Sequence, residues 1–290
     1  MDNREVASSH KLVPMGLIIA SGISIQIGSV FGYQAMLLSN PLYVSFVRSL
    51  FAFPIIMTIL LLQKQQFRSI NFKLAFLIGL TITLLNTFYN LAISRISLGD
   101  VMAIQYVGVI AVSCIIARTK KEYFWVALAL VGVLAITRPG SGHMEILGLL
   151  FAALTAVFFG TYVSLAKKVA LLPNRMSLLS VSLLFSAIIL SPSLFTTHAN
   201  PLNVKVILLA CLMAIFTSVI TAFTEIGTLR KVSIATFGVL VGLYPVLAIL
   251  VGIIFLNQKL SILEILGILL VVIAAIGSSL TKNKSLASIP

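Results

Sequence analysis

Acidic side chains are scarce in this chain: seven Asp and Glu stand among 290 residues, against twenty Lys and Arg. Cysteine occurs twice, at Cys114 and Cys211, both inside apolar runs, which excludes a disulfide framework. The three histidines, His10, His143 and His198, fall in tails or loops, with no cysteine or carboxylate at metal-ligand spacing. No glycine-rich phosphate loop and no nucleophile with a base can be read, so we expect no metal, no cofactor, no ATP hydrolysis and no enzyme. Charged residues make up 9% of the chain and mean hydropathy is +1.14, which excludes a water-soluble domain, because its surface could not be covered with polar groups.

What is present is apolar: 60% of residues are hydrophobic, arranged in long runs with short polar breaks. A helix needs about 20 apolar residues to cross the hydrocarbon core. We read ten spans, at 13–34, 42–62, 72–94, 98–117, 123–137, 146–166, 177–195, 204–228, 233–256 and 262–281, the fifth being the shortest. The runs are apolar all round rather than alternating, which argues against a β-barrel. Met1 to His10 is polar and no small-residue cleavage site follows the first run, so that run is read as a mature helix. The expected fold is thus an all-α integral membrane protein in a lipid bilayer.

The net charge of +13 is distributed by loop. With the N-terminus inside, fifteen cations lie in cytoplasmic segments, and Arg95, Arg138, Lys205 and Lys259 lie outside. Arg48 alone falls within a span. This alternation is a positive-inside pattern for ten spans with both termini cytoplasmic, and it removes any need for a nucleic-acid partner.

The chain also repeats weakly. Gly16-Leu17-Ile18-Ile19-Ala20 matches Gly148-Leu149-Leu150-Phe151-Ala152, and Gly28 matches Gly160, both at a spacing of 132. Arg95-Ile96-Ser97-Leu98 resembles Lys231-Val232-Ser233-Ile234 at a spacing of 136. Two five-helix repeats follow, 1–137 and 146–290, joined by 138–145 with Pro139, Gly140, Ser141 and Gly142. Because five is odd, the second copy inserts inverted, the architecture of many alternating-access carriers.

Polar residues inside spans are costly in hydrocarbon and should face the bundle interior or a wet cavity. Gln26, Asn86, Tyr89, Gln105, Tyr162 and Tyr244 are the candidates for binding a small polar or amphiphilic metabolite, with hydrogen bonds to its polar ends and an apolar lining for the rest. Helix-to-helix hydrogen bonding is the structural alternative. Glu225 either pairs with Arg230 or Lys231 or binds a proton as a coupling carboxylate, and Asp100 is the second candidate for that role. Arg48 either snorkels outward, pairs with Asp100 or attracts a substrate carboxylate. Gly28 with Gly32 and Gly238 with Gly242 predict close helix approach, and Pro54 and Pro245 predict kinks.

These segments carry a family resemblance. Ser24-Ile25-Gln26, Val47-Arg48, Asn86, Leu98-Gly99 and Tyr162 match in the first six spans. Glu225, Thr236-Phe237-Gly238, Pro245 and Gly277-Ser278-Ser279-Leu280-Thr281 match in the last three. The chain resembles the drug/metabolite transporter superfamily, EamA-type ten-helix branch, and is most similar to its threonine/homoserine exporters. Two positions depart from them: Gln105, followed by Gly108-Val109, stands where those exporters place an acidic residue, and Tyr244 before Pro245 stands where they place another. The resemblance implies a secondary transporter, a monomer or homodimer in the cytoplasmic membrane, that exports an amino acid by alternating access. Import or facilitated passage of a nucleoside, sugar or drug-like compound is the alternative, followed by a channel.

Overall fold

The computed structural model describes residues 3–64, 70–96, 98–117, 119–137, 145–196, 203–256 and 261–280. Among these residues every regular element is helical and no strand occurs. The inter-repeat residues 138–144, with His143, and the loop residue His198 lie outside the described residues, as does 281–290.

The first half contributes α1 (Asn3–Leu38), α2 (Pro41–Leu62), α3 (Phe72–Ile93), α4 (Leu98–Ile116) and α5 (Lys120–Thr137). The second contributes α6 (Ile146–Ala170), α7 (Arg175–Leu190), the one-turn α8 (Ser193–Thr196), α9 (Val204–Ala214), α10 (Thr221–Lys231), α11 (Ile234–Val241), α12 (Leu243–Leu256) and α13 (Ile262–Leu280). Among the described residues, six helical stretches are long and apolar enough to cross a membrane: Val13–Leu38, Pro41–Leu62, Phe72–Ile93, Ile146–Ala170, Val204–Lys231 and Ile262–Leu280. Shorter apolar helices accompany them, at Asp100–Ile116, Arg175–Leu190 and Ile234–Ala248.

Helix starts are set by local chemistry. Asn40 accepts from the Leu42 amide at 2.9 Å, with Pro41 in the first turn where a missing N–H costs nothing. Asn71, Asn203 and Ser233 cap α3, α9 and α11 in the same way. Thr119 with Glu122 and Ser261 with Glu264 form reciprocal capping boxes on α5 and α13. Two of the seven carboxylates are thereby occupied. A third, Glu145, lies 3.8 Å from Arg95.

Three departures from the expected boundaries have physical causes. The backbone of α1 is helical from Asn3, ten residues before the expected span, because the polar segment contains no helix breaker before Pro14. The helix expected over 204–228 runs to Lys231 but passes through a π turn at Ile215–Ile220 between α9 and α10. Thr217, Thr221, Thr224 and Thr228 each turn their hydroxyl onto the carbonyl four residues back, a habit that distorts helices. The helix expected over 233–256 is interrupted at Gly242 rather than merely kinked at Pro245. Proline cannot donate to the carbonyl of Val241, so the ladder fails in the preceding turn, and the Gly242 amide bonds to Val239 instead. That leaves the Gly238 carbonyl to accept from the Tyr106 hydroxyl at 3.0 Å.

Packing brings distant helices together. The pairs α2–α7, α3–α6, α3–α7, α4–α6 and α5–α13 are extensive, and α1 lies along α9, the π turn and α10. Glycine permits the closest crossings. A Cβ on Gly28 would meet Phe216 and Thr217, and one on Gly32 would meet Met213, so α1 approaches the π turn at the expected small-residue pair. A Cβ on Gly238 or Gly242 would meet Ser113 or Tyr106 of α4. These contacts hold the helices around a central cavity.

Candidate substrate cavity

Two connected chambers lie between the helices, with volumes of ≈ 320 Å³ and ≈ 150 Å³. They share Ile25, Arg48, Leu85, Asn86, Thr217 and Glu225, so these residues form the junction. The larger chamber falls at the low end of the range for small-molecule pockets, about 300–1,000 Å³. Gln26, Ser29, Tyr89, Gln105, Tyr106 and Tyr244 complete its polar lining, with Met102, Phe159, Met213, Val241 and Pro245 as the apolar part. The smaller chamber is closed by Ile82, Leu179, Leu183 and Ala222, together with Tyr162, Ser218 and Thr221.

The six residues proposed from sequence for substrate contact therefore all line one chamber or the other. Five lie in the larger, where Asn86 is at the junction, and Tyr162 lies in the smaller. Their engagements differ. Asn86 donates to the Ile82 carbonyl of its own helix at 2.7 Å, so its side-chain oxygen is the part left for a ligand. Tyr244 donates to Glu225 Oε1 at 2.7 Å and its hydroxyl sits 3.0 Å from that of Ser21. It is thus a partner of the carboxylate before it is a partner of anything bound.

Glu225 is placed by α10, directly after the π turn, and its carboxylate faces Tyr244 of α12 and Ser21 of α1. It does not pair with Arg230 or Lys231, the bland alternative read from sequence, because those side chains lie in the last turn of α10 beyond the cavity lining. Ser24 fixes the approach of α1 by donating to the Phe216 carbonyl within the π turn at 2.7 Å. π turns insert a residue and re-aim side chains, often at functional sites. Here the turn carries Thr217 and Ser218 to the cavity wall.

Arg48 comes from α2 and lines both chambers. Its Nε is buried and has no hydrogen-bond partner. The ion pair with Asp100 offered as one reading of the sequence is not made, and no ion pair joins Arg48 to Glu225. Asp100 is fully buried in the first turn of α4 and lies outside the lining of both chambers. The second carboxylate put forward for proton coupling is therefore not brought to the cavity.

Sequence reasoning missed Ser21, Thr217, Ser218, Thr221, Leu179 and Leu183. The hydroxyls at 217, 218 and 221 recur at helical spacing within an apolar run, a signal that was available. Leu179 and Leu183 carry none, being aliphatic residues in an aliphatic helix. Lys167, counted from sequence among cytoplasmic loop charges, is buried at the end of α6, where its ammonium donates to the Leu229 carbonyl and, at 2.8 Å, to that of Val232.

Comparison with known proteins follows this geometry. Residues 146–280 match the EamA-like transporter family. Threonine/homoserine exporter RhtA of Escherichia coli K12 is 26% identical over 209 residues, 71% of this chain and 70% of that protein. RhtA of Salmonella typhimurium LT2 is 25% identical over the same extent. A crystal structure at 16% identity shares the fold with a TM-score of 0.75, covering 94% of this chain and 98% of the other. With apolar helices built around a polar cavity and this match, the chain carries an EamA-like transporter domain over residues 146–280 and is a multi-pass transporter of the cytoplasmic membrane.

Proposed function

We propose that this protein is a secondary carrier that exports a zwitterionic amino acid by alternating access, with a proton as the counter-ion. Threonine and homoserine are the first substrates to test, since they are named for the RhtA relatives. The observation that carries the reading is the presence of opposite charges on one cavity: Arg48, half-buried with its Nε buried and unpartnered, and Glu225, held apart from it on another helix. An unpaired cation in a low-dielectric site is costly, and the cost is recovered when an anion arrives from outside the protein. A substrate carboxylate supplies that anion, while the substrate ammonium takes the place opposite Glu225. Gln26, Gln105, Tyr89 and the oxygen of Asn86 then orient the ligand.

The same carboxylate accounts for exchange. Glu225 can hold an ammonium group or a proton, and the two compete for one pair of oxygens. On the inner side an amino acid binds to the ionised form; on the outer side a proton displaces it, and the protonated carrier returns. The groups facing Glu225 from neighbouring helices are Tyr244 on α12, Ser21 on α1 and Tyr162 on α6, and Arg48 on α2 lines the same chambers. Tyr244 is suited to both states, donating to the carboxylate and accepting from the acid. Substrate affinity should therefore fall as pH falls.

The architecture we propose for this cycle is two inverted five-helix repeats, 1–137 and 146–290, joined by 138–145, with ten spans and both termini cytoplasmic. The packing pairs support it: exchanging the halves turns α3 on α6 into α1 on α9 and α10, and α4 on α6 into α1 on α12, and each of these contacts is made. Proteoliposomes loaded with labelled threonine or homoserine, with and without a pH gradient, test the function. Saturable, gradient-driven flux is expected. Unsaturable flux would make the protein a channel, and saturable flux of another metabolite alone would overturn the amino-acid assignment.

A further inference from the structure

We infer that the smaller chamber is a side-chain subsite that makes the carrier prefer branched aliphatic amino acids of the valine, leucine and isoleucine class over threonine and homoserine. This rests on the zwitterion reading of Arg48 and Glu225. The two charged groups stand at the junction, so a substrate whose α-carboxylate and α-ammonium occupy them has its side chain directed into one chamber or the other. The larger chamber mixes Gln26, Gln105, Tyr89, Tyr106 and Tyr244 with Met102, Phe159 and Met213, and its greater volume suits the route of passage. The far wall of the smaller one is made of Ile82, Leu179, Leu183 and Ala222, all buried.

Four hydroxyl residues also face this chamber, Tyr162, Thr217, Ser218 and Thr221, and the protons of the two threonines are committed. Thr217 donates to the Met213 carbonyl at 2.9 Å and Thr221 to the Thr217 carbonyl at 2.6 Å, so toward a ligand they present methyl groups and lone pairs. Ser218 adds one small polar edge. The volume of ≈ 150 Å³ matches in size the engineered apolar cavities that take up benzene, so a four-carbon side chain fits without strain. A hydroxylated side chain gives up its water on entering and, beyond the Tyr162 and Ser218 hydroxyls, finds an aliphatic wall in return, which costs it relative to a leucine-like chain.

The test is flux competition in proteoliposomes, using labelled leucine against unlabelled alanine, threonine, homoserine, valine, leucine and phenylalanine. In the unmodified protein leucine should compete about tenfold better than threonine, the range set by one or two methylenes in an apolar pocket. Ala222→Leu fills the chamber and should lower the leucine-to-alanine ratio by about tenfold. Leu183→Ala enlarges it and should raise the phenylalanine-to-leucine ratio. The two changes act in opposite directions, and each is read as a ratio within one preparation, so a general loss of folded carrier cannot mimic them. Threonine competing as well as leucine, or ratios that stay fixed in both variants, would overturn the subsite while leaving amino-acid export standing. Absence of flux for every amino acid would instead remove the reading on which the subsite rests.

Discussion

On the wall of the cavity built by α2 and α3, the Nε of half-buried Arg48 is shielded from solvent without a partner and Asn86 leans back on its own helix. On the wall built by α10 and α12, Glu225 already has Tyr244 and Ser21, and two turns further along the chain Lys167 of α6 grips the end of α10 through the Leu229 and Val232 carbonyls. The same lining thus holds one charge that lacks a counter-group and one whose surroundings are complete. A group left unsatisfied in a low-dielectric site is waiting for a ligand, whereas a satisfied one can exchange partners without a large change in energy. We take the first wall to be the receiving surface and the second to be the switching surface.

Substitutions at the two walls should separate these roles. The largest effect is expected at the receiving wall: Arg48→Met should lower transport by about 100-fold or more, as expected for loss of a charge-assisted contact to a carboxylate, with flux measured in proteoliposomes. Arg48→Lys should restore only part of it, because an ammonium lacks the planar fork. At the switching wall, Glu225→Gln should abolish uptake driven by a pH gradient and flatten the dependence of substrate affinity on pH; a profile like that of the unmodified protein would refute the exchange role. Tyr244→Phe keeps the ring and removes the donor, and should reduce flux by roughly tenfold through Glu225, the size of one hydrogen bond to a charge. A change confined to substrates with polar side chains would instead make Tyr244 a direct substrate contact.

Smaller effects sharpen the contrast. Lys167→Met leaves two buried carbonyls of α10 unsatisfied and should cost about 1–3 kcal/mol, read as a lower unfolding midpoint in detergent. Its effect on the pH profile should be slight, since the ammonium does not touch the cavity. Least of all, Asp100→Asn should leave the pH dependence of transport unchanged, because Asp100 lies outside both chambers. A shifted profile in that variant would move the coupling site from α10 to α4.

Much of the cavity lining was legible beforehand. Gln26, Arg48, Asn86, Tyr89 and Gln105 interrupt apolar runs, and hydrocarbon gives such groups nowhere to go but inward. The pairing of Glu225 with Tyr244 was not legible. Nineteen residues and the break at Gly242 separate them, so no helical spacing links the two positions. The π turn at Ile215–Ile220 was hidden for another reason: it contains neither glycine nor proline, and its threonines satisfy the backbone within the helix in a way that composition does not report. The burial of Lys167 was likewise invisible, since a lysine at the end of a span is read as a loop charge unless the facing helix end is known.

The amino-acid sequence by itself determined that this protein is helical and lives in a membrane, and it directed Gln26, Asn86, Tyr89, Gln105 and Tyr162 toward the interior. Those properties follow from transfer free energies, which are summed along the chain and depend little on which helix meets which. The tertiary structure alone decided that Glu225 meets Tyr244 and Ser21, that Asp100 is kept from the cavity, and that Arg48 is left facing it without a partner. Contacts of that kind depend on crossing points between helices, set by glycines such as Gly22, Gly28 and Gly238 against specific neighbours, and a crossing point is a property of two helices that neither sequence contains alone.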